Sequence, residues 1–249
     1  MEIKSYGKVN LTLKVYKNNR KRNLHKINSI MFPYQELFDT ITVKKNSTQQ
    51  FKFECNLSEL NNNENTVVKA YQVFLLEFSE FKEIGVDIFL DKKTPVGSGL
   101  GYSSSNQVAT IKLLCRIFKI DFNSKKILNL IKSLSCDALF FYYQKPARIF
   151  GYGNQIRLLS KHQITKYQLP NSKVIISNIP SITKDVYAEF DLDYSHYKKR
   201  NRFFPEKYFN MLEKPALKIN QKLKEFHHNL TKQYSHVLLA GSGGLFLVW

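Results

Sequence analysis

Hydrophobic residues take alternate positions through residues 8–15: Val9, Leu11, Leu13 and Val15 share one face, and Lys8, Asn10, Thr12 and Lys14 the other. A period of two predicts a half-buried strand. Shorter runs predict further strands at 40–43, 51–53 and 86–90. Between the last two, Val67, Tyr71, Phe74, Leu75 and Phe78 recur three and four apart and predict an amphipathic helix. Residues 107–118 read as helical, and Ser124 is placed to cap a helix carrying Ile127, Leu128, Ile131 and Leu134. Asn61, Asn62 and Asn63 mark a polar loop, and 161–171 a loop or boundary. A strand at 173–177 and a helix through Ile219, Leu223, Phe226 and Leu230 follow. Two apolar strands, 237–240 and 245–248, then pair across Gly241-Ser242-Gly243-Gly244. Strands and helices alternate irregularly, which predicts an α+β fold rather than a doubly wound parallel sheet.

With 249 residues and 43% hydrophobic content, the chain can bury a core without disulfides or a structural metal. Cys55, Cys115 and Cys136 are odd in number and form no CxxC, so neither a disulfide framework nor a zinc site is expected. No apolar run approaches the roughly 18 residues that cross a bilayer, and Met1-Glu2-Ile3-Lys4 starts a strand pattern rather than a signal segment. The expectation is a cytoplasmic protein with no membrane partner. The net charge of +18 would fit a polyanion. The charge is spread along the chain, however, and 31 of the 38 basic residues are Lys, a bias that accompanies A- and T-rich coding. The densest run, Lys198-Lys199-Arg200-Asn201-Arg202, reads as a solvated loop. Nucleic acid is therefore not the expected partner.

The segment 95–106, Pro-Val-Gly-Ser-Gly-Leu-Gly-Tyr-Ser-Ser-Ser-Asn, holds three of the ten glycines and precedes a helix. Glycines let backbone N–H groups approach an anion, hydroxyls add donors, and a helix start adds the positive end of its dipole. These features describe a phosphate cradle. It is neither the GxxxxGK[ST] loop nor the dinucleotide GxGxxG. Asp137 follows a helical stretch and precedes the apolar run Leu139-Phe140-Phe141-Tyr142-Tyr143, where a carboxylate needs a partner or a task. A helix cap or a structural ion pair would serve as well as chemistry.

The cradle resembles the P-x-G-x-G-L-G-G-x-S-S-[DN] signature of the GHMP small-molecule kinases. Within that superfamily its spacing is similar to the branch that phosphorylates 4-diphosphocytidyl-2-C-methyl-D-erythritol. Other blocks occur in that branch's order. Gly7-Lys8-Val9-Asn10-Leu11 resembles its A-K-[IL]-N-L, and Asn65 through Ala70 its N-x-[IV]-x-[KR]-A. Ser135 through Phe141 resembles G-[AS]-D-V-P-F-F, and Ala147 through Gln155 A-x-x-x-G-x-G-E. Ile182 through Tyr187 resembles S-T-K-E-V-[FY], Asn210 through Glu213 N-D-[LF]-E, and Gly241 through Gly244 T-G-S-G-[GA].

The resemblance implies a two-domain GHMP kinase fold. Residues 1–160 would form the ATP-binding, ribosomal-protein-like N-terminal α+β domain, and 161–249 a ferredoxin-like C-terminal α+β domain. It implies Asp137 as the base and Lys8 as the cation that keeps it ionised and offsets phosphoryl charge. ATP would lie against Asn65, Lys93, Pro95, Gly97, Gly99, Leu100, Gly101, Ser103, Ser104 and Ser105. The acceptor would meet Asn10, His25, Gly241, Ser242 and Gly243. Mg²⁺ is expected with ATP, with no residue assigned as a dedicated metal ligand. The partners are thus ATP and a small-molecule substrate, for a monomer or homodimer. Leu24 stands where the branch has the tyrosine of D-G-Y-H, and Tyr102-Ser103 where the cradle has Gly-Gly. If Tyr102 takes a positive φ, the loop is strained. The other readings are a GHMP kinase with a different alcohol acceptor and, on the same N-terminal fold, a basic RNA-binding protein.

Overall fold

The alternation that begins at Val9 belongs to a longer strand, β1 (Glu2–Val15). The computed structural model describes residues 1–18, 24–167, 172–194 and 207–249. The run Lys198-Lys199-Arg200-Asn201-Arg202, and Arg22 and Asn23 before Leu24, lie outside the described residues. β2 (Ile27–Lys45) absorbs the predicted strand at 40–43 and extends it back through Pro33, where Asn28 and Ser29 hide the alternation. Contacts divide the chain into two interleaved units, so that β1 and β2 each contribute one half to either.

The first unit comprises Met1–Gly7, Tyr34–Thr94 and Gly101–Gln144. Here β3 (Phe51–Cys55) runs parallel to β4 (Val86–Asp91), which pairs antiparallel with β2 from Thr40 to Lys45. Helices α1 (Thr66–Glu77), α2 (Tyr102–Phe118), α3 (Lys125–Leu134) and α4 (Ala138–Tyr143) complete it. The predicted three–four spacing holds in α1, where Val67, Tyr71 and Phe74 are buried. Ser124 caps α3 as expected, accepting from the Ile127 N–H. The core of this unit includes Ile41, Phe74, Ile88, Leu90, Ile111, Leu114 and Ile127, each under 3% exposed.

The second unit comprises Lys8–Pro33, Pro95–Leu100 and Lys145–Trp249. β5 (Ala147–Gly151) pairs antiparallel with β2 and with β6 (Gln155–Leu158), while β8 (Phe209–Asn210) runs parallel to β1. A second sheet has the order β7-β10-β9, from Lys173–Ile176, Leu245–Val248 and Val237–Leu239. The terminal pair predicted from apolar runs is present, with Phe246 opposite Leu239. Leu13, Val15, Val186, Phe190, Leu223 and Phe246 form an apolar cluster of this unit.

Two expectations need correction. The segment expected as a loop at 161–171 contains helix α5 (Lys161–Tyr167), begun by Ser160, whose hydroxyl accepts from the Gln163 N–H. The single helix expected through Ile219 is two, because Asn220 takes an extended conformation (φ −130°, ψ 96°) and its side chain caps Leu223. Ile219 therefore ends α7 (Glu213–Ile219) and is 43% exposed, whereas α8 (Gln221–Thr231) buries Leu223 and Leu230. α6 (Thr183–Leu192) completes the helices among the described residues that bear on the site. None of the described helices is long and apolar enough to cross a membrane.

Candidate active site

In the second unit Lys8 is 6% exposed, so its ammonium must find acceptors within the protein. It donates to Asn10 Oδ1 at 2.7 Å and to the Gly99 carbonyl at 3.0 Å. Its backbone N–H donates to the Leu100 carbonyl at 2.8 Å. One residue thus holds the end of the glycine loop by both main chain and side chain. Asn10 passes the constraint on: its amide donates to Ser29 Oγ at 2.8 Å, and that hydroxyl donates to the Thr12 carbonyl at 2.6 Å.

Gly97 and Gly99 have φ of 71° and 79°, the left-handed region that favours glycine. A Cβ on Gly97 would meet open space, which leaves the backbone there accessible to an anion. Gly99 instead packs against the C-terminal glycine loop, where a Cβ would come 3.5 Å from the Ala240 carbonyl. From the other side, a Cβ on Gly241 would come 3.9 Å from Asn10 Oδ1. Lys8, Asn10, Pro95, Gly97, Gly99, Leu100, Gly241 and Gly243 are thus gathered in one unit, the two glycine loops backbone to backbone. Ser242 closes the second loop: its carbonyl accepts from Ser181 Oγ at 2.7 Å, and its hydroxyl lies 2.8 Å from Thr183 Oγ1.

Asn210 anchors the same loop, donating at 2.6 Å to the carbonyls of Leu239 and Gly241. Glu213 adds a carboxylate that accepts from the Leu239 N–H at 2.8 Å. Sequence reasoning quoted these residues without assigning them to the site; the block at 210–213 was the signal. His25 also lies in this unit, its Nε2 2.9 Å from Asp191 Oδ1 and its ring centroid 4.7 Å from that of Tyr187. Leu24 beside it is 52% exposed.

The remaining predicted residues lie in the first unit. Gly101 (φ 78°) precedes α2, and Tyr102 is the first residue of the helix. Positive φ ends at Gly101, so Tyr102 brings no backbone strain. Its ring is buried and its hydroxyl donates to the Leu37 carbonyl at 2.8 Å. Burial pushes its phenol well above the usual range. Ser104 and Ser105 accept from the hydroxyls of Ser135 (2.8 Å) and Ser5 (2.7 Å), which leaves their own protons to donate. The Ser103 carbonyl accepts from Thr66 Oγ1 at 3.3 Å. Asn65 commits its amide to the start of α1, accepting from Val67 N–H and donating to the Leu60 carbonyl. Lys93 is paired with Asp91 at 3.0 Å. Asp137 is half-buried ahead of α4, and its carbonyl accepts from the Phe140 N–H at 3.0 Å.

Asp39, in β2, was not singled out in the sequence and is fully buried. One oxygen accepts from the N–H groups of Lys93 and Thr94 at 3.0 Å and from Thr94 Oγ1 at 2.8 Å. The other accepts from Asn106 Nδ2 at 2.9 Å and lies 3.0 Å from Lys92 Nζ. Burial lowers the Lys92 ammonium pKa, and Asp39 opposes that shift. The carboxylate thereby fixes residues 92–94 and the first turns of α2, which flank the cradle in sequence.

This combination of glycine loops, a buried lysine and helix-borne serines defines a small-molecule kinase. Residues 65–145 match the GHMP kinases N terminal domain. It is 29% identical over 257 residues to the 4-diphosphocytidyl-2-C-methyl-D-erythritol kinase of Fusobacterium nucleatum, covering 98% of this chain and 86% of that one. The Thermotoga maritima protein of the same name is 28% identical, over 98% and 90% of the two chains. The crystal structure of a 4-(cytidine 5'-diphospho)-2C-methyl-D-erythritol kinase superposes with TM-score 0.75 at 25% identity, over 100% of this chain and 89% of that one.

Proposed function

We propose that this chain transfers the γ-phosphoryl group of ATP to the 2-hydroxyl of 4-diphosphocytidyl-2-C-methyl-D-erythritol, in the cytoplasm, on the non-mevalonate route to isoprenoid precursors. The observation that carries the reading is the buried Lys8 ammonium held on the Gly99 carbonyl, a cation fixed at the edge of a left-handed glycine loop. Phosphoryl transfer is mostly positioning and electrostatic stabilisation, and this arrangement supplies both. Open space at Gly97 fits phosphate oxygens, and the Ser104 and Ser105 protons are left to donate. Magnesium, bound with ATP, would offset the charge of the phosphates. The serine hydroxyls are oxygen ligands suited to that hard cation, and among the described residues no group of three or more His, Cys, Asp or Glu offers an alternative.

Asp137 is the base in this reading and accepts the proton of the attacking hydroxyl, and Lys8 is the cation that offsets phosphoryl charge. The division into an ATP-binding domain, 1–160, and a C-terminal domain, 161–249, goes with it. The family match at 65–145 falls inside the first, and the sheet β7-β10-β9 inside the second. The Tyr187 ring beside His25 supports recognition of a cytosine. Exposed Leu24, in place of a tyrosine, favours a second reading with the same chemistry and another alcohol as acceptor.

The test is ADP release by purified protein with magnesium and the cytidyl substrate, beside Asp137→Asn and a panel of alcohols. Turnover that falls by roughly 10²–10⁴ in the variant supports the base and the substrate together. Turnover with another alcohol alone replaces the substrate. A variant as fast as the wild type removes Asp137 from the mechanism.

A further inference from the structure

We propose that the second unit carries a further binding site, on the outer face of β2, β5 and β6, for a nucleoside diphosphate. A groove of about 550 Å³ lies there, lined among others by Tyr16, Lys26, Asn28, Arg148, Phe150 and Arg157. That volume suits a small molecule. The lining includes no acidic residue, and among the described residues no carboxylate forms an ion pair with Lys26, Arg148 or Arg157.

The strand register supplies the main argument. Arg148 on β5 stands directly opposite Arg157 on β6, and like charges so placed destabilise a sheet. An anion between two guanidinium groups reverses that cost, because each can meet phosphate oxygens with two N–H groups. Arg148 is held for the task by its Nε, which donates to Asn28 Oδ1 at 2.8 Å and leaves its outer donors to a ligand. The aromatic component comes from Tyr16, 38% exposed, and Phe150, half-buried. Lys14 Nζ lies 5.3 Å from the Tyr16 ring, adding a fourth positive charge near the groove. Rings beside cations suit a flat base carrying phosphates better than free phosphate.

The groove is separate from the residues assigned above. Leu13 and Val15 belong to the apolar cluster of this unit, while Lys14 and Tyr16 alternate with them and face the other way; Ile27 packs against the cluster and also borders the groove, between Lys26 and Asn28. Lys8, Asn10 and both glycine loops are absent from the lining.

Calorimetric titration of the full chain with ADP, at low and at physiological salt, is the test. Two binding events are expected. The weaker should drop by roughly tenfold or more in Arg148→Ser/Arg157→Ser, as the loss of charge-assisted contacts requires, with KM for both kinase substrates unchanged. Phe150→Ala should weaken ADP and leave inorganic pyrophosphate alone. Arg157→Glu should abolish the weaker event while raising Tm, since it turns a repulsive cross-strand pair into an attractive one. A single event in every protein, a weaker event that vanishes at physiological salt, or a changed KM overturns the proposal. So does tighter binding of a uridine oligonucleotide, which would assign the face to nucleic acid. Kinase turnover is read separately, so failure here leaves the proposed reaction standing.

Discussion

Gly243 and Gly97 meet so closely that a Cβ on Gly243 would stand 3.1 Å from the Gly97 carbonyl oxygen. The two positions should therefore respond differently to alanine. Gly243→Ala pushes backbone against backbone and displaces both loops, and a shift of that kind lowers kcat/KM by about a hundredfold. Gly97→Ala meets no protein atom: its φ of 71° costs about 1–2 kcal/mol in folding stability, and its methyl enters the space proposed for phosphate oxygens, so it should raise the KM for ATP without displacing the loops. Paired kinetics and thermal melts of the two variants separate these effects. Equal kinetic losses would show that the loop contact does not matter.

Lys8→Met keeps the length of the side chain and removes its charge and donors. Loss of a preorganised cation at a phosphoryl site predicts a fall in kcat/KM of about 10²–10³. Asn10→Ala removes the acceptor but leaves the ammonium on Gly99, so its effect should be smaller. Steady-state kinetics on both variants checks the order, and reversal of it would move the main role to Asn10.

Asp39→Asn leaves the Lys92 ammonium buried without its counter-charge. Breaking a buried pair on one side costs about 3–5 kcal/mol. The double variant Asp39→Asn/Lys92→Met removes both charges and should recover much of that loss. Urea unfolding of the three proteins measures it. A double variant as weak as the single one would show that the hydrogen bonds to Lys93, Thr94 and Asn106 dominate instead.

Stability should decline on the alkaline side. Burial, aided by the Glu36 carboxylate, pushes the Tyr34 phenol up to about 12, and burial raises Tyr102 as well. Both hold their protons more tightly folded than unfolded. The Tyr34 contribution is thus complete below the ordinary phenol value of 10.0 and lost as pH climbs through the folded value of about 12, and Tyr102 acts in the same direction. Chemical unfolding at stepped pH should show a decline above about pH 10 that is shallower in Tyr34→Phe.

Much of the site was legible because its chemistry is local in sequence. The glycines of 97–101 and 241–243, and the alternation that places Lys8 and Asn10 on one face, can be read from short windows. Asp39 could not be found that way. In Phe-Asp-Thr-Ile-Thr it looks like an ordinary outward carboxylate, and its partners Lys92, Thr94 and Asn106 are more than fifty residues away. The start of β2 was hidden by Asn28, Ser29 and Pro33, which blur a period of two. Ser29 is buried because Asn10 and Thr12 satisfy its hydroxyl, a fact of tertiary pairing that no propensity encodes. The break at Asn220 was legible in kind, since Asn is a good cap, but the apolar spacing through Ile219 masked it.

Tyr102 bears on how such a loop diverges. The left-handed backbone stops at Gly101, and residue 102 already has the geometry of a helix. What the position demands is a side chain that fills a pocket and reaches the Leu37 carbonyl, not freedom of φ. Bulk there is compatible with an intact glycine turn. Position 102 is released from the glycine rule, and the loop can keep its backbone while its sequence drifts.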